Sequence, residues 1–114
     1  MDRSISALIR QQRSRIDDLA RLAGRFNDEP VEMMLLRLSG RLARIGATLS
    51  LPAARQQGVA SRVEGRFERL LRDVSLARFD DRESVTRIAW SVAEIEETIR
   101  QSPVEVVRPI YFEN

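Results

Sequence analysis

Val31-Glu-Met-Met-Leu-Leu-Arg-Leu-Ser-Gly-Arg-Leu-Ala-Arg-Ile-Gly-Ala-Thr-Leu49 is the stretch on which the fold turns. Val31, Leu35, Leu38, Leu42, Ile45 and Leu49 recur at steps of three and four, which stacks them on one face of an α-helix. Asn27-Asp-Glu-Pro30, just before it, supplies N-cap candidates and a proline suited to a first helical turn. The helix is expected to end near Ser50. The same stretch carries a second apolar surface. Met33, Leu36, Gly40, Ala43 and Ala47 fall roughly 120 to 200 degrees around the wheel from the main stripe. Small residues there let another helix approach closely, so this face is a candidate partner-binding surface.

Working outward, the same spacing predicts three more helices. Ile5, Leu8, Ile9, Gln12, Ile16, Leu19, Ala23 and Phe26 define a helix from about Asp2 to Arg25. Downstream, Pro52 restarts the chain, and Val59, Val63, Phe67, Leu70 and Val74 form a third stripe, with Gly58 a weak point near its start. Phe79-Asp-Asp-Arg-Glu83 breaks and re-caps the chain. Val85, Ile88, Ala89, Val92, Ile95 and Ile99 then form the fourth stripe, closed by Pro103. Nothing alternates with period two for long enough to make a sheet. Short links favour antiparallel neighbours. The expected fold is all-α: an antiparallel four-helix bundle, or two helical hairpins that complete their cores by pairing as a dimer. Residues 1–102 form this helical domain and residues 103–114 an extended apolar C-terminal tail.

That tail, Pro103-Val-Glu-Val-Val-Arg-Pro-Ile-Tyr-Phe-Glu-Asn114, is bracketed by two prolines and cannot continue a helix. It is also too greasy to stay solvated. Val107, Ile110, Tyr111 and Phe112 are therefore candidate contacts, either across the same bundle, on a sister subunit or on a foreign partner. The single tryptophan is another. Trp90 lies about 140 degrees from the core direction of its helix, where a large aromatic suggests an interface anchor.

Of the 114 residues, 43% are apolar and 32% charged, the balance of a globular helical protein large enough to bury about two-thirds of its unfolded surface. The N-terminal residues lack the apolar segment of a signal peptide, and Met33 to Leu36, the longest uncharged apolar run, is too short to cross a bilayer. A cytoplasmic protein with no membrane association is expected. All nineteen basic residues are arginine. The pattern fits the codon usage of a GC-rich bacterial genome, or selection for guanidinium forks that grip carboxylate or phosphate.

The arginines are unevenly placed. Residues 1–36 are neutral in sum, residues 37–72 carry net +6, and residues 73–114 carry net −4. Arg37, Arg41 and Arg44 cluster opposite the core stripe of the second helix, and Arg55, Arg62, Arg66 and Arg69 share one sector of the third. Such stripes can follow a phosphate backbone, which makes nucleic-acid binding the alternative reading. Against it stand a net charge of only +2 and few aromatics to stack bases. Acidic residues of the fourth helix, Glu94, Glu96 and Glu97, also offer the arginines partners within the fold or across a dimer.

With no histidine, cysteine or lysine, the chain lacks the usual general base, thiolate nucleophile and Schiff-base amine. Asp80 and Asp81 read as helix caps, and Asp17 and Asp18 as partners for arginines one turn away. No metal site and no cofactor is expected. Arg13-Ser-Arg-Ile-Asp-Asp-Leu19 resembles the first helix of the small chorismate mutases, all-helical enzymes in which arginines hold the substrate carboxylates. The resemblance covers seven residues and implies a helical enzyme of that type as a remote alternative; the absence of lysine departs from the family's pattern. The leading reading is a non-enzymatic adaptor, regulator or chaperone that binds another protein and forms a homodimer.

Overall fold

The structure, a computed structural model, describes residues 2–52, 54 and 58–101. Four α-helices account for almost all of these residues: α1 (Asp2–Arg25), α2 (Glu29–Leu49), α3 (Val59–Leu76) and α4 (Arg82–Arg100). The C-terminal tail, with Val107, Ile110, Tyr111 and Phe112, lies outside the described residues, as does Arg55.

The turn between α1 and α2 is compact because adjacent residues serve both helices. Asn27 adopts the left-handed conformation (φ 61°), one that asparagine tolerates better than most side chains. Its N–H donates to the Gly24 carbonyl, and that of Asp28 to the Ala23 carbonyl, the paired bonds of a Schellman C-cap. Asp28 then caps α2, its carboxylate accepting from the Val31 N–H at 3.4 Å, with Pro30 in the first turn. Phe26 still bonds back to the Leu22 carbonyl but lies just past the end of α1, outside the core stripe on which its spacing placed it. Phe26 is exposed and stacks on Phe79, their rings 5.1 Å apart.

The α3–α4 turn divides two acids that the sequence treats alike. Asp81 caps α4 through the Glu83 N–H, whereas Asp80 takes Arg78 as a partner instead of capping. Ser84, buried in this turn, accepts from the Arg78 N–H and donates to the Asp81 carbonyl. At the other end of α3, Gly58 is in the left-handed region (φ 66°) and offers no side-chain cap, so the helix begins only at Val59.

The core is continuous and apolar. Buried in it are Val31, Leu35, Leu38, Leu42, Ile45 and Leu49 from α2, all five predicted residues of α3, and Val85, Ile88, Val92 and Ile95 from α4. α1 adds Ile5, Ile9, Ile16, Ala20 and Ala23. Gly46 faces α1, where a Cβ would make ordinary van der Waals contact with Ile9, 3.4 Å from its Cδ1.

Helices α1 and α2 form one antiparallel hairpin and α3 and α4 the other. Across the hairpins α2 packs on α4 and α1 on α3. Both of these pairs run parallel. Asp28 sits near Arg82 at one end of the α2–α4 pair and Arg41 bonds Glu96 nearer the other, while Phe26 meets Phe79 just beyond the ends of α1 and α3. Consecutive helices α2 and α3 therefore occupy a diagonal and do not pack along each other among the described residues, unlike the antiparallel neighbours expected from short links. A diagonal of the bundle is about 13 Å at ordinary helix spacing. The link of residues 50–58 reaches that far with ease, a nine-residue chain spanning up to about 30 Å.

One polar group interrupts the core. Gln12 is 1% exposed, and its Oε1 has no hydrogen-bond partner among the described residues. An unpaired buried carbonyl carries a desolvation penalty of about 1–3 kcal/mol. Gln12→Leu, close in volume, is expected to raise stability by about 1–2 kcal/mol in a urea titration without altering the helical spectrum.

Candidate functional site

α2 is two-sided, and its second side is partly exposed. The inner stripe steps through Val31, Leu35, Leu38, Leu42, Ile45 and Leu49, all buried. The outer set steps through Met33, Leu36, Gly40, Ala43 and Ala47, again at alternating intervals of three and four. That is the a/d spacing of a helix-pairing seam. Met33 and Leu36 are each 47% exposed, Ala47 is exposed, and Gly40 and Ala43 are half-buried. A Cβ built on Gly40 meets nothing within 4 Å, so the middle of the outer seam is open space.

Trp90 projects from the outward face of α4 and is 69% exposed. Met34, which sequence spacing assigns to neither stripe of α2, is also exposed. It lines a furrow between α2 and α4 that is walled in turn by Pro30, Met33, Met34 and Ala89, then by Arg41 and Glu96, then by Arg44, Thr48 and Ile99. Missing this furrow from the sequence is understandable, because it exists only once α2 and α4 lie side by side.

The same pairing settles part of the charge imbalance inside one chain. Arg41 holds Glu96 with both ends of its guanidinium, Nε at 3.0 Å and Nη2 at 2.5 Å, and both side chains are about 30% exposed (31% and 28%). The Arg41 hydrogen bond holds the Glu96 carboxyl below the usual carboxylate range, helped by the positive charges of Arg41, Arg100 and Arg44 against the opposing effect of partial burial. Arg41 is raised in turn, its bond to Glu96 outweighing desolvation. On α3, Arg69 bonds Glu94 at 2.9 Å. Asp73 accepts a 2.5 Å hydrogen bond from the buried Ser91, tying the same two helices together.

Of the six described arginines on the two stripes proposed for phosphate contact, two are thus engaged with α4 carboxylates. The other four, Arg37, Arg44, Arg62 and Arg66, are exposed and form no salt bridge among the described residues. They sit on two helices that are diagonal to each other. The structure does not gather them into one stripe. Within residues 13–19, Arg13 donates to Ser39 of α2 at 3.3 Å and Asp18 pairs with Arg21.

No cluster of three or more metal-ligating side chains occurs among the described residues, and no helix among them is long and apolar enough to cross a membrane. Comparisons with protein families, with curated proteins and with solved structures find no match to this chain.

The Arg41–Glu96 pair makes a measurable contribution because its bidentate geometry is partly shielded from water. With the Glu96 pKa lowered in the fold, the stabilisation is present above the unfolded carboxylate value, near 4.3, and is lost as pH falls through the folded value. Glu96→Gln should cost about 0.5–1 kcal/mol at neutral pH by chemical denaturation. Its stability should converge with that of the parent only as pH falls through the lowered folded value of Glu96.

Proposed function

We propose that this protein is a non-enzymatic helical binding module that acts through protein contacts and associates with a second copy of itself through the outer seam of α2. The observation that carries the reading is the pairing of exposed Met33 and Leu36 with an open Gly40 on one heptad-spaced line. Large residues at one end and small ones at the other suit a helix that crosses its own image, as a two-fold interface requires. Two protomers meeting there bury the apolar seam that each leaves in water alone. Trp90, on a different helix face, remains free for a further protein partner, where a bulky aromatic supplies much of the binding energy. Adaptor, regulator and chaperone roles all use such a surface.

Nucleic-acid binding is the weaker reading, because Arg41 and Arg69 already hold Glu96 and Glu94 and the remaining arginines are split between diagonal helices.

Gly40 separates association from folding. In a helix interior with open space around it, glycine costs about 0.5–1 kcal/mol relative to residues with better helix propensity. Gly40→Leu is therefore expected to raise the denaturation midpoint of the isolated protomer while holding two outer seams apart. Sedimentation equilibrium of the full chain should show a dimer at high micromolar concentration that Gly40→Leu converts to monomer. A parent protein that sediments as a monomer, or a variant that still dimerises as tightly, contradicts the proposal.

A further inference from the structure

Beyond the Arg41–Glu96 bridge, toward the C-terminal ends of α2 and α4, the two helices leave a cleft of about 250 Å³. The bridge forms its first wall. From α2, Arg44, Ile45 and Thr48 line the rest, and from α4, Ile99 and Arg100. Spacing explains why these residues meet. Arg41, Arg44 and Thr48 follow at steps of three and four, and Ile99 and Arg100 stand one turn after Glu96, so each set lies on a single face of its helix. None of them belongs to the outer seam of α2.

The cleft carries an uncompensated positive charge. Glu96 is fully engaged, because Arg41 donates to both of its oxygens. Arg100 pairs with Glu97, whose other oxygen accepts from Gln101. Arg44 is exposed and forms no salt bridge among the described residues, and the Thr48 hydroxyl makes no hydrogen bond among them. The three guanidinium groups nevertheless act on one place. The Glu96 carboxyl lies below its usual range chiefly through the hydrogen bond with Arg41, against partial burial, and the charges of Arg41, Arg100 and Arg44 all push it the same way. Once Glu96 and Glu97 are set against Arg41 and Arg100, the charge of Arg44 is left over.

One free guanidinium beside a free hydroxyl suits a monoanion. A carboxylate accepts two N–H bonds from one guanidinium edge and has lone pairs left for the hydroxyl. A doubly charged phosphate would keep one charge uncompensated beside Glu96. Between the charged groups, Ile45 and the half-buried Ile99 give the cleft an apolar floor, and small-molecule sites combine such a floor with a few fixed polar groups. We propose that this cleft binds a small organic carboxylate, its carboxylate held by Arg44 and Thr48 and its hydrocarbon body lying against Ile99. The site is complete within one chain, so it stands or falls separately from self-association.

Benzoate is the probe, titrated into the full chain enriched in nitrogen-15 at constant ionic strength. The amide signals of Arg44, Thr48 and Arg100 should shift saturably in the millimolar range, while those of Arg62 and Arg66 on α3 stay in place. Benzyl alcohol, which keeps the ring without the charge, and inorganic phosphate should produce no saturable shift there. Arg44→Gln should weaken benzoate about tenfold. Arg62→Gln, the same loss of charge at an exposed arginine of α3, should leave the affinity unchanged, and the spectra report that both variants are folded. Lack of a saturable benzoate shift overturns the proposal. Equal affinity in Arg44→Gln, or a response to benzyl alcohol or phosphate as strong as that to benzoate, overturns it too.

Discussion

One helix has to satisfy two seams, and the rest of the structure follows from how only one of them is met. The inner seam of α2 takes the centre of the core, with Leu35, Leu38 and Leu42 nearly or wholly withdrawn from water. Its flanks are used by α1 on one side and α4 on the other. The outer seam repeats the same three-four spacing half a turn away, and no helix among the described residues covers it. Hydrophobic stabilisation is proportional to the apolar area removed from water, so covering this line would be favourable.

Parallel packing of α2 on α4 is the second organising feature. It follows from sending the link between the hairpins across the diagonal, and it brings the basic middle of the chain against its acidic end. Arg41 with Glu96 is the result, a contact between residues far apart in sequence, while the α3–α4 hairpin adds Arg69 with Glu94. A charge segregation that suggests a polyanionic partner when read along the chain is therefore partly neutralised within the fold. The furrow is a further consequence, a channel along the line where α2 and α4 meet that the Arg41–Glu96 pair bridges.

Local periodicity made the helices and their inner faces legible before any coordinates: the α2 and α3 stripes, and most of those on α1 and α4, are buried as spacing predicts. A 3.6-residue repeat is a property of each helix alone, and needs no knowledge of its neighbours. The exposure of Trp90, Met33 and Leu36 was legible for the same reason, through their angle from the core. What lay beyond reach depended on tertiary placement. Asp80 and Asp81 are chemically identical, and only the turn geometry gives one to Arg78 and the other to the helix cap. Phe26 kept the helical phase but falls just beyond the end of α1, where it meets Phe79 and not the core. Met34 belonged to neither stripe, and its role in the furrow required α4 beside it.

The central claim is that a second protein surface, and not solvent, covers the outer seam of α2. The most direct measurement is the accessibility of the methyl groups of Met33, Leu36, Ala43 and Ala47 to an inert paramagnetic co-solute, followed by methyl NMR across a dilution series of the full chain. Coverage by a second copy predicts that these methyls are shielded at high concentration and become accessible together on dilution, while exposed Leu76 on α3 stays accessible throughout. Outer-seam methyls as accessible as Leu76 at every concentration would contradict it.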